Sequence, residues 1–512
     1  MHTRLLPAVI ALALVAAACS RNGSVETTTT AAPPSASTST TIEASTSTAE
    51  PPATTRPTTT VPTTGTTDAG PAAVAGSAGL GDPYFPGLGN GGYDVDHYSI
   101  DVAVDPGDGT LTGETTITAE VTAGDPLMSF NLDLVGLTVH RVTVDGTGAS
   151  FERDGAEMTV TPAAALVPGE EFSVTVEYEG LPVSNPSGTF GFGVGWNVRN
   201  DGVYVIGQPD GARVWFPCND HPSDKAEFTI RATVPEPWVA AAPGLLVDVV
   251  DGDGTTTYVW DLDDPVATYL ATVAVGRYER VEYPAYDGIE LRDYLPGDLA
   301  DDPPAEFALI DEMLDALVPL FGPYPFDAYG HVVVSGFPGA LEVPTLSIFG
   351  TTALSPFVLE RIVVHELGHM WFGDAITPST WQDIWLNEGF ATYTEWLWVE
   401  ATEGSDAYLR EVRDGYALMD RPHPAPGDPG PADLFHDSVY VRGALTLAAL
   451  RLEIGDEAFF TTLREYVVRY GGGNASTADF AATVADVTGR DYSEFLDAWL
   501  FDREMPALGD AE

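Results

Sequence analysis

Two imidazoles four residues apart flank a carboxylate in His365-Glu366-Leu367-Gly368-His369. On a helix, positions i and i+4 share one face one turn apart, so both rings reach a single ion. Glu366 is offset by about a hundred degrees and points beside that ion, where a base for a metal-bound water belongs. A surface helix can carry the same five residues by chance, so the pattern needs a third ligand. Eighteen residues separate His369 from Glu388, which lies in Trp385-Leu386-Asn387-Glu388-Gly389-Phe390-Ala391. A catalytic zinc takes three protein ligands and keeps one position for water. His365, His369 and Glu388 from the next helix supply that set, for one Zn2+ per chain.

The elements that position these groups follow from the surrounding pattern. Ser355-Pro356 opens a helix, serine capping and proline at the first turn, and that helix carries the histidines. Upstream, Pro304 to Phe321 is helical, His331 to Ser335 and Thr345 to Phe349 are strands, and beyond Ser355 nearly everything is helical. From about Asp82 to Val281 the texture is different. Tyr98, Ile100, Val102 and Val104 alternate with polar residues, as do Phe172, Val174, Val176 and Tyr178, the period of half-buried antiparallel strands. The fold class is therefore α+β in two domains: an N-terminal antiparallel β sandwich at 81–282, then a mainly helical catalytic domain at 283–512. A carboxylate rather than a third histidine as the last ligand points to the thermolysin-like class.

Residues 1–18 read as an export signal, with a charged head and an apolar run from Pro7 to Ala18. Cys19 follows at once, and Val15-Ala16-Ala17-Ala18-Cys19 resembles the lipobox of bacterial lipoproteins. The expectation is a lipid on Cys19 and an extracytoplasmic, membrane-anchored protein, or a secreted one if Cys19 is unmodified. Residues 19–80, rich in Thr, Ser, Ala and Pro, bury too little to fold and read as a tether. Cys218 is the other cysteine, so a lipidated Cys19 leaves no intramolecular disulfide. With 76 acidic residues, 22 basic ones and a formal charge of -54, nucleic acid and adhesion to anionic lipid headgroups are excluded.

HELGHMWFGD followed by WLNEGFATYTE is similar to the zinc aminopeptidase family of aminopeptidase N and leukotriene hydrolase type. The likeness runs from roughly Asp82 to Pro506 and includes GQPDGARVWFPCNDHPSDKA at Gly207 to Ala226. It implies a saddle-shaped β domain before a thermolysin-like catalytic domain. Gly339-Ala340-Leu341-Glu342-Val343 resembles the family's Gly-Ala-Met-Glu-Asn exopeptidase motif, departing at Leu341 and Val343. By that resemblance Gly339, Ala340 and Glu342 bind substrate, Glu342 holding the free α-amino group with help from Gln208. Tyr440, in Ser438-Val439-Tyr440-Val441-Arg442-Gly443-Ala444, matches Tyr-x-Lys-Gly-Ala with arginine for lysine, which implies an oxyanion donor. Asp383 is a candidate acceptor behind a ligand histidine, with a loop carboxylate facing water as the equal alternative. His331, His423 and His436 are expected to stand outside the chemistry, and Cys218 to be a small packing residue. Many family members add a large helical domain after the catalytic one; six residues follow Pro506 here, so the expected cleft is more open.

The leading function is an exported zinc aminopeptidase acting on peptides with a free N-terminus. A thermolysin-like endopeptidase is the near alternative, favoured if Glu342 lies away from the metal. A catalytically inactive, lipid-anchored peptide-binding protein is the third, and it would have no use for Glu366.

Overall fold

The computed structural model of the protein describes residues 73–184 and 193–509. The signal, Cys19 and most of the tether lie outside the described residues. Among the described residues, no helix is long and apolar enough to cross a membrane.

The N-terminal half is built on an eight-stranded sheet. Its order is 245–251, 255–267, 225–235, 94–104, 111–120, 171–180, 138–144, 147–148, and all but one neighbouring pair are antiparallel. The alternation read from the sequence is what buries it: Tyr98, Ile100, Val102 and Val104 face the core, as do Phe172, Val174, Val176 and Tyr178. Two four-stranded sheets complete this half. One of them runs 195–199, 202–206, 274–276, 239–241. Tyr278–Glu282, placed by the sequence in the first domain, pairs with Glu290–Pro296 across a short turn. That hairpin puts it in the next sheet, whose order is 278–282, 290–296, 331–334, 347–350, 340–341.

The helical half follows as α1 (Ile310–Phe321), α2 (Leu359–His369), α3 (Trp385–Glu403), α4 (Ser405–Leu418), α5 (Asp437–Ile454), α6 (Asp456–Tyr470), α7 (Thr477–Thr488) and α8 (Ser493–Leu500). The segment from Pro304 starts as a 3-10 turn and becomes α-helix only at Ile310. Likewise α2 begins at Leu359, one turn later than Ser355-Pro356 suggests. The Val358 and Leu359 N–H groups both bond the Ser355 carbonyl, making an isolated turn before the helix. Helix α3 is buried on every side from Trp385 to Trp398, as a helix at the centre of a bundle must be. It lies against α2, α4 and α5.

Polar ties join the halves. The ammonium of Lys225, the chain's single lysine, donates to the Asp374 and Ala375 carbonyls at 2.9 Å and to that of Gly473 at 3.3 Å. Burial pushes its pKa down to about 7. Asp82 accepts from its near neighbours Tyr84 N–H and Phe85 N–H and, across the interface, from Trp381 N–H at 2.9 Å.

Candidate metal centre and substrate cleft

Helix α2 presents His365 and His369 on one face, and α3 brings Glu388 opposite them. Glu388 Oε2 lies 3.5 Å from the Nε2 atom of each ring. All three residues are buried, with ligand atoms within 4.8 Å of one another. Ligands about 2.0–2.1 Å from a tetrahedral zinc stand roughly 3.4 Å apart, so the set fits that ion. The backs of the rings agree. His365 Nδ1–H donates to Glu395 Oε1 at 2.9 Å, and His369 Nδ1–H to the Phe372 carbonyl at 3.1 Å. With both Nδ1 atoms carrying protons, two Nε2 lone pairs and a carboxylate oxygen converge on one buried point, which a cation satisfies. Burial opposes charge on His365, but Glu388 and Glu395 outweigh it and hold its pKa well above the usual range, so a metal and a proton compete for the Nε2 lone pair. Burial likewise works against charge on Glu388, and the two histidines reverse that, pulling its carboxyl down to about 2.

Glu366 is 5 % exposed and brings a carboxylate oxygen within 4.8 Å of the ligand atoms of His369 and Glu342, a second buried group beside the His365, His369 and Glu388 set. Burial raises its carboxyl to about 8, against the pull of His365 and His369. Glu342 offers an oxygen within 4.8 Å of ligand atoms of Glu366 and His369, which puts it at the same centre. Its carboxylate accepts from Gln208 Nε2 at 2.6 Å, a bond between the two halves of the chain. Burial raises the Glu342 pKa, His369 opposing it. Ala340-Leu341 forms the edge strand of its sheet, paired with Phe349 and Ile348 on one side, and the Gly339 carbonyl takes the Gly350 N–H.

Tyr440 comes from α5, its ring stacked 6.1 Å from that of His365. Two glycines allow this approach: a Cβ on Gly389 would stand 2.9 Å from the Gly443 backbone. Any side chain there would push α5, and Tyr440 with it, away from the metal ligands. Arg442, where the family has lysine, is buried and turned away from the site. Its guanidinium donates to the carbonyls of Trp499 at 2.7 Å, Ala498 at 3.2 Å and Asp502 at 2.7 Å, closing the C-terminal end of α8.

Asp383 is not behind a ligand histidine. Its carboxylate accepts from Thr477 N–H at 3.0 Å and Thr477 Oγ1–H at 2.6 Å, at the start of α7. The acceptor behind His365 is Glu395, itself held by Arg361 Nε at 3.2 Å, while Arg361 also reaches Glu411 at 2.8 Å. A sequence signal for it exists: Glu395 is seven residues after Glu388, two turns on along the same stripe of α3. His331 lies outside the cleft, bonded to Asp293 and stacked on Phe307. His436 caps α5, and His423 contacts the Pro424 carbonyl. Cys218 is a buried free thiol.

Residues 94–270 match the model of the peptidase M1 N-terminal domain, and residues 312–499 that of the peptidase family M1 domain. The chain is 28% identical to aminopeptidase N of Streptomyces lividans over 445 residues, 79% of this chain and 50% of that protein. It is equally 28% identical to aminopeptidase M1-A of Oryza sativa subsp. japonica, covering 78% of this chain and 49% of the relative. The chain thus spans about half the length of these curated relatives. The crystal structure of an M1 zinc metallopeptidase from Deinococcus radiodurans superimposes with a TM-score of 0.78 at 34% identity, covering 84% of this chain and 98% of that one. A glutamate-to-alanine mutant of that protein is known bound to Tyr-Ser-Ala substrate.

Proposed function

The chain belongs to peptidase family M1, and from that premise we propose that it is an exported aminopeptidase that removes N-terminal residues from peptides. The observation that carries the exopeptidase reading is the buried Glu342 carboxylate, oriented by Gln208 and within 4.8 Å of His369 and Glu366. A carboxylate so close to the reacting centre leaves room for one residue of substrate and an ammonium to pair with, which a chain interior cannot supply. The relatives named aminopeptidase and the tripeptide held by the Deinococcus protein support the same reading.

His365, His369 and Glu388 would hold a zinc ion, which when bound would supply Lewis acidity toward a scissile carbonyl and toward water. Glu342 and Gln208 hold the α-ammonium, and the outer edge of Ala340-Leu341 pairs with the substrate backbone as an added strand. Glu366 takes a proton from the attacking water and passes it to the leaving nitrogen. Tyr440 donates its hydroxyl to the carbonyl oxygen as charge builds there. Export follows from residues 1–18 and membrane anchoring from a lipid on Cys19, with residues 19–72 as the tether; the expected tether to residue 80 ends short of that, because Val74-Ala75 pairs with Leu127 and Ser129 and Ala78 bridges to Asn90 in the folded half.

Aminoacyl-fluorophore substrates, each also supplied N-acetylated, test the reading. The wild type should cleave the free amines and barely touch the acetylated forms. Glu342→Ala should lose about 2–5 kcal/mol of transition-state binding on free amines, roughly thirty- to several-thousand-fold in kcat/KM, while keeping its zinc. Equal cleavage of both series by the wild type would replace the aminopeptidase with an endopeptidase.

A further inference from the structure

The loop that carries Glu342 holds a backbone conformation that its own residues disfavour. Val343-Pro344-Thr345-Leu346 closes through Leu346 N–H to the Val343 carbonyl at 3.0 Å. Proline stands second in the turn, and Thr345, third, has φ +66°. That pattern is a type II turn, whose third residue needs positive φ and is ordinarily glycine. A β-branched residue there is an outlier, kept only where its surroundings impose it.

Three hydrogen bonds impose it. Thr345 Oγ1 accepts from Gly244 N–H at 2.8 Å. Arg292 donates through Nη1 to the Thr345 carbonyl and through Nη2 to the Gly244 carbonyl, both at 2.6 Å. Arg292 and Thr345 are 0 % and 1 % exposed, so no water substitutes for these partners. Glycine at 345 would make the turn without strain but would leave the buried Gly244 N–H without its acceptor. The hydroxyl is what threonine adds.

Gly244 and Gln208 come from the same end of one sheet. Gln208 follows strand 202–206 and Gly244 follows strand 239–241, and both strands run antiparallel to 274–276 between them. One rigid sheet therefore grips the Glu342 loop twice, at the carboxylate through Gln208 and three residues on through Thr345.

We propose that Thr345 is a positioning residue: its hydroxyl, with Arg292, ties the turn after Glu342 to the N-terminal half and sets where the Glu342 carboxylate stands relative to the metal ligands. This rests on Glu342 being the amine anchor. A misplaced anchor weakens binding of the ammonium while leaving the ligands and Glu366, on α2 and α3, where they are.

The test compares Thr345→Ala, Thr345→Gly and Thr345→Ser with the wild type as full chains, with rates normalised to bound zinc. Alanyl- and leucyl-fluorophore substrates are used free and N-acetylated. Alanine keeps the strain and loses the hydroxyl; glycine loses both, so it folds even if alanine does not. Both should raise KM for free-amine substrates about tenfold, with the slow rate on acetylated substrates unchanged. Serine, which keeps the hydroxyl, should stay close to wild type. A Thr345→Gly enzyme with wild-type KM would overturn the proposal, as would equal losses on free and acetylated substrates in the variants. A wild type that does not discriminate between the two series would instead overturn the aminopeptidase reading on which the proposal stands.

Discussion

Removing Glu395 should weaken zinc binding without touching a ligand. Its Oε1 accepts the His365 Nδ1 proton at 2.9 Å, and its Oε2 accepts from Arg361 Nε at 3.2 Å, in a site where Glu395 is 2 % exposed. That first bond fixes the His365 proton on Nδ1 and leaves Nε2 free to ligate. In Glu395→Gln the amide has one acceptor to offer and two donors asking for it. If its oxygen faces Arg361, its NH2 faces Nδ1, which drives the histidine proton to Nε2, the wrong nitrogen for a metal. If the oxygen faces His365, two donors meet at Arg361. Either way a buried partner goes unsatisfied at about 1–3 kcal/mol, in line with the roughly 10–100-fold lost when such outer partners of metal ligands are changed. The assay is zinc titration of chelator-stripped protein against a chromophoric competitor at fixed pH. Asp383→Asn is the control, since that carboxylate serves Thr477 and should leave zinc affinity unchanged. A wild-type zinc affinity in Glu395→Gln would refute the argument that tautomer control is what Glu395 does.

Glu366→Gln should keep its zinc and drop kcat by about a hundred- to ten-thousand-fold, because the proton carrier beside the ligands is gone; near-normal turnover of a zinc-loaded variant would remove Glu366 from that role. His369→Ala should purify without a full equivalent of zinc by elemental analysis, two remaining ligands being too few for a structured site. Cys19→Ser should shift the protein from detergent to aqueous phase or leave an uncleaved precursor; unchanged partitioning points to an ordinary signal. The N-terminal half should lose stability as pH rises from about 4 to about 7. Burial, reinforced by Glu157, lifts Asp133 from 3.8 to about 7, and burial raises Asp220 likewise despite Arg213. In that window the folded chain holds protons that the unfolded chain has released, so stability falls as pH rises. Melting curves across the window should flatten in Asp133→Asn, and an unchanged slope would show that Asp133 folds already ionised.

The sequence by itself determined what depends on local spacing. A spacing of four from His365 to His369 places two rings on one face of any helix, and period two in Tyr98 to Val104 buries one face of any strand. Eighteen residues to Glu388 gave the ligand but not its approach, and the capping pattern at Ser355-Pro356 placed the helix start a turn too early. A cap marks where a helix can begin, and the packing of Leu359 onward decides where it does. What the tertiary structure alone decided are contacts between elements far apart in the chain. Glu395 rather than Asp383 backs His365, because the side on which α3 meets α2 selects one carboxylate from several. Tyr440 reaches the metal ligands because Gly389 and Gly443 let two helices touch. Glu342 stands beside His369 because Gln208 and Gly244, more than a hundred and nearly a hundred residues away in sequence, emerge from one end of the same sheet. Local periodicity carries no information about which surfaces meet; that is settled by which apolar faces bury one another and which buried polar groups then find partners.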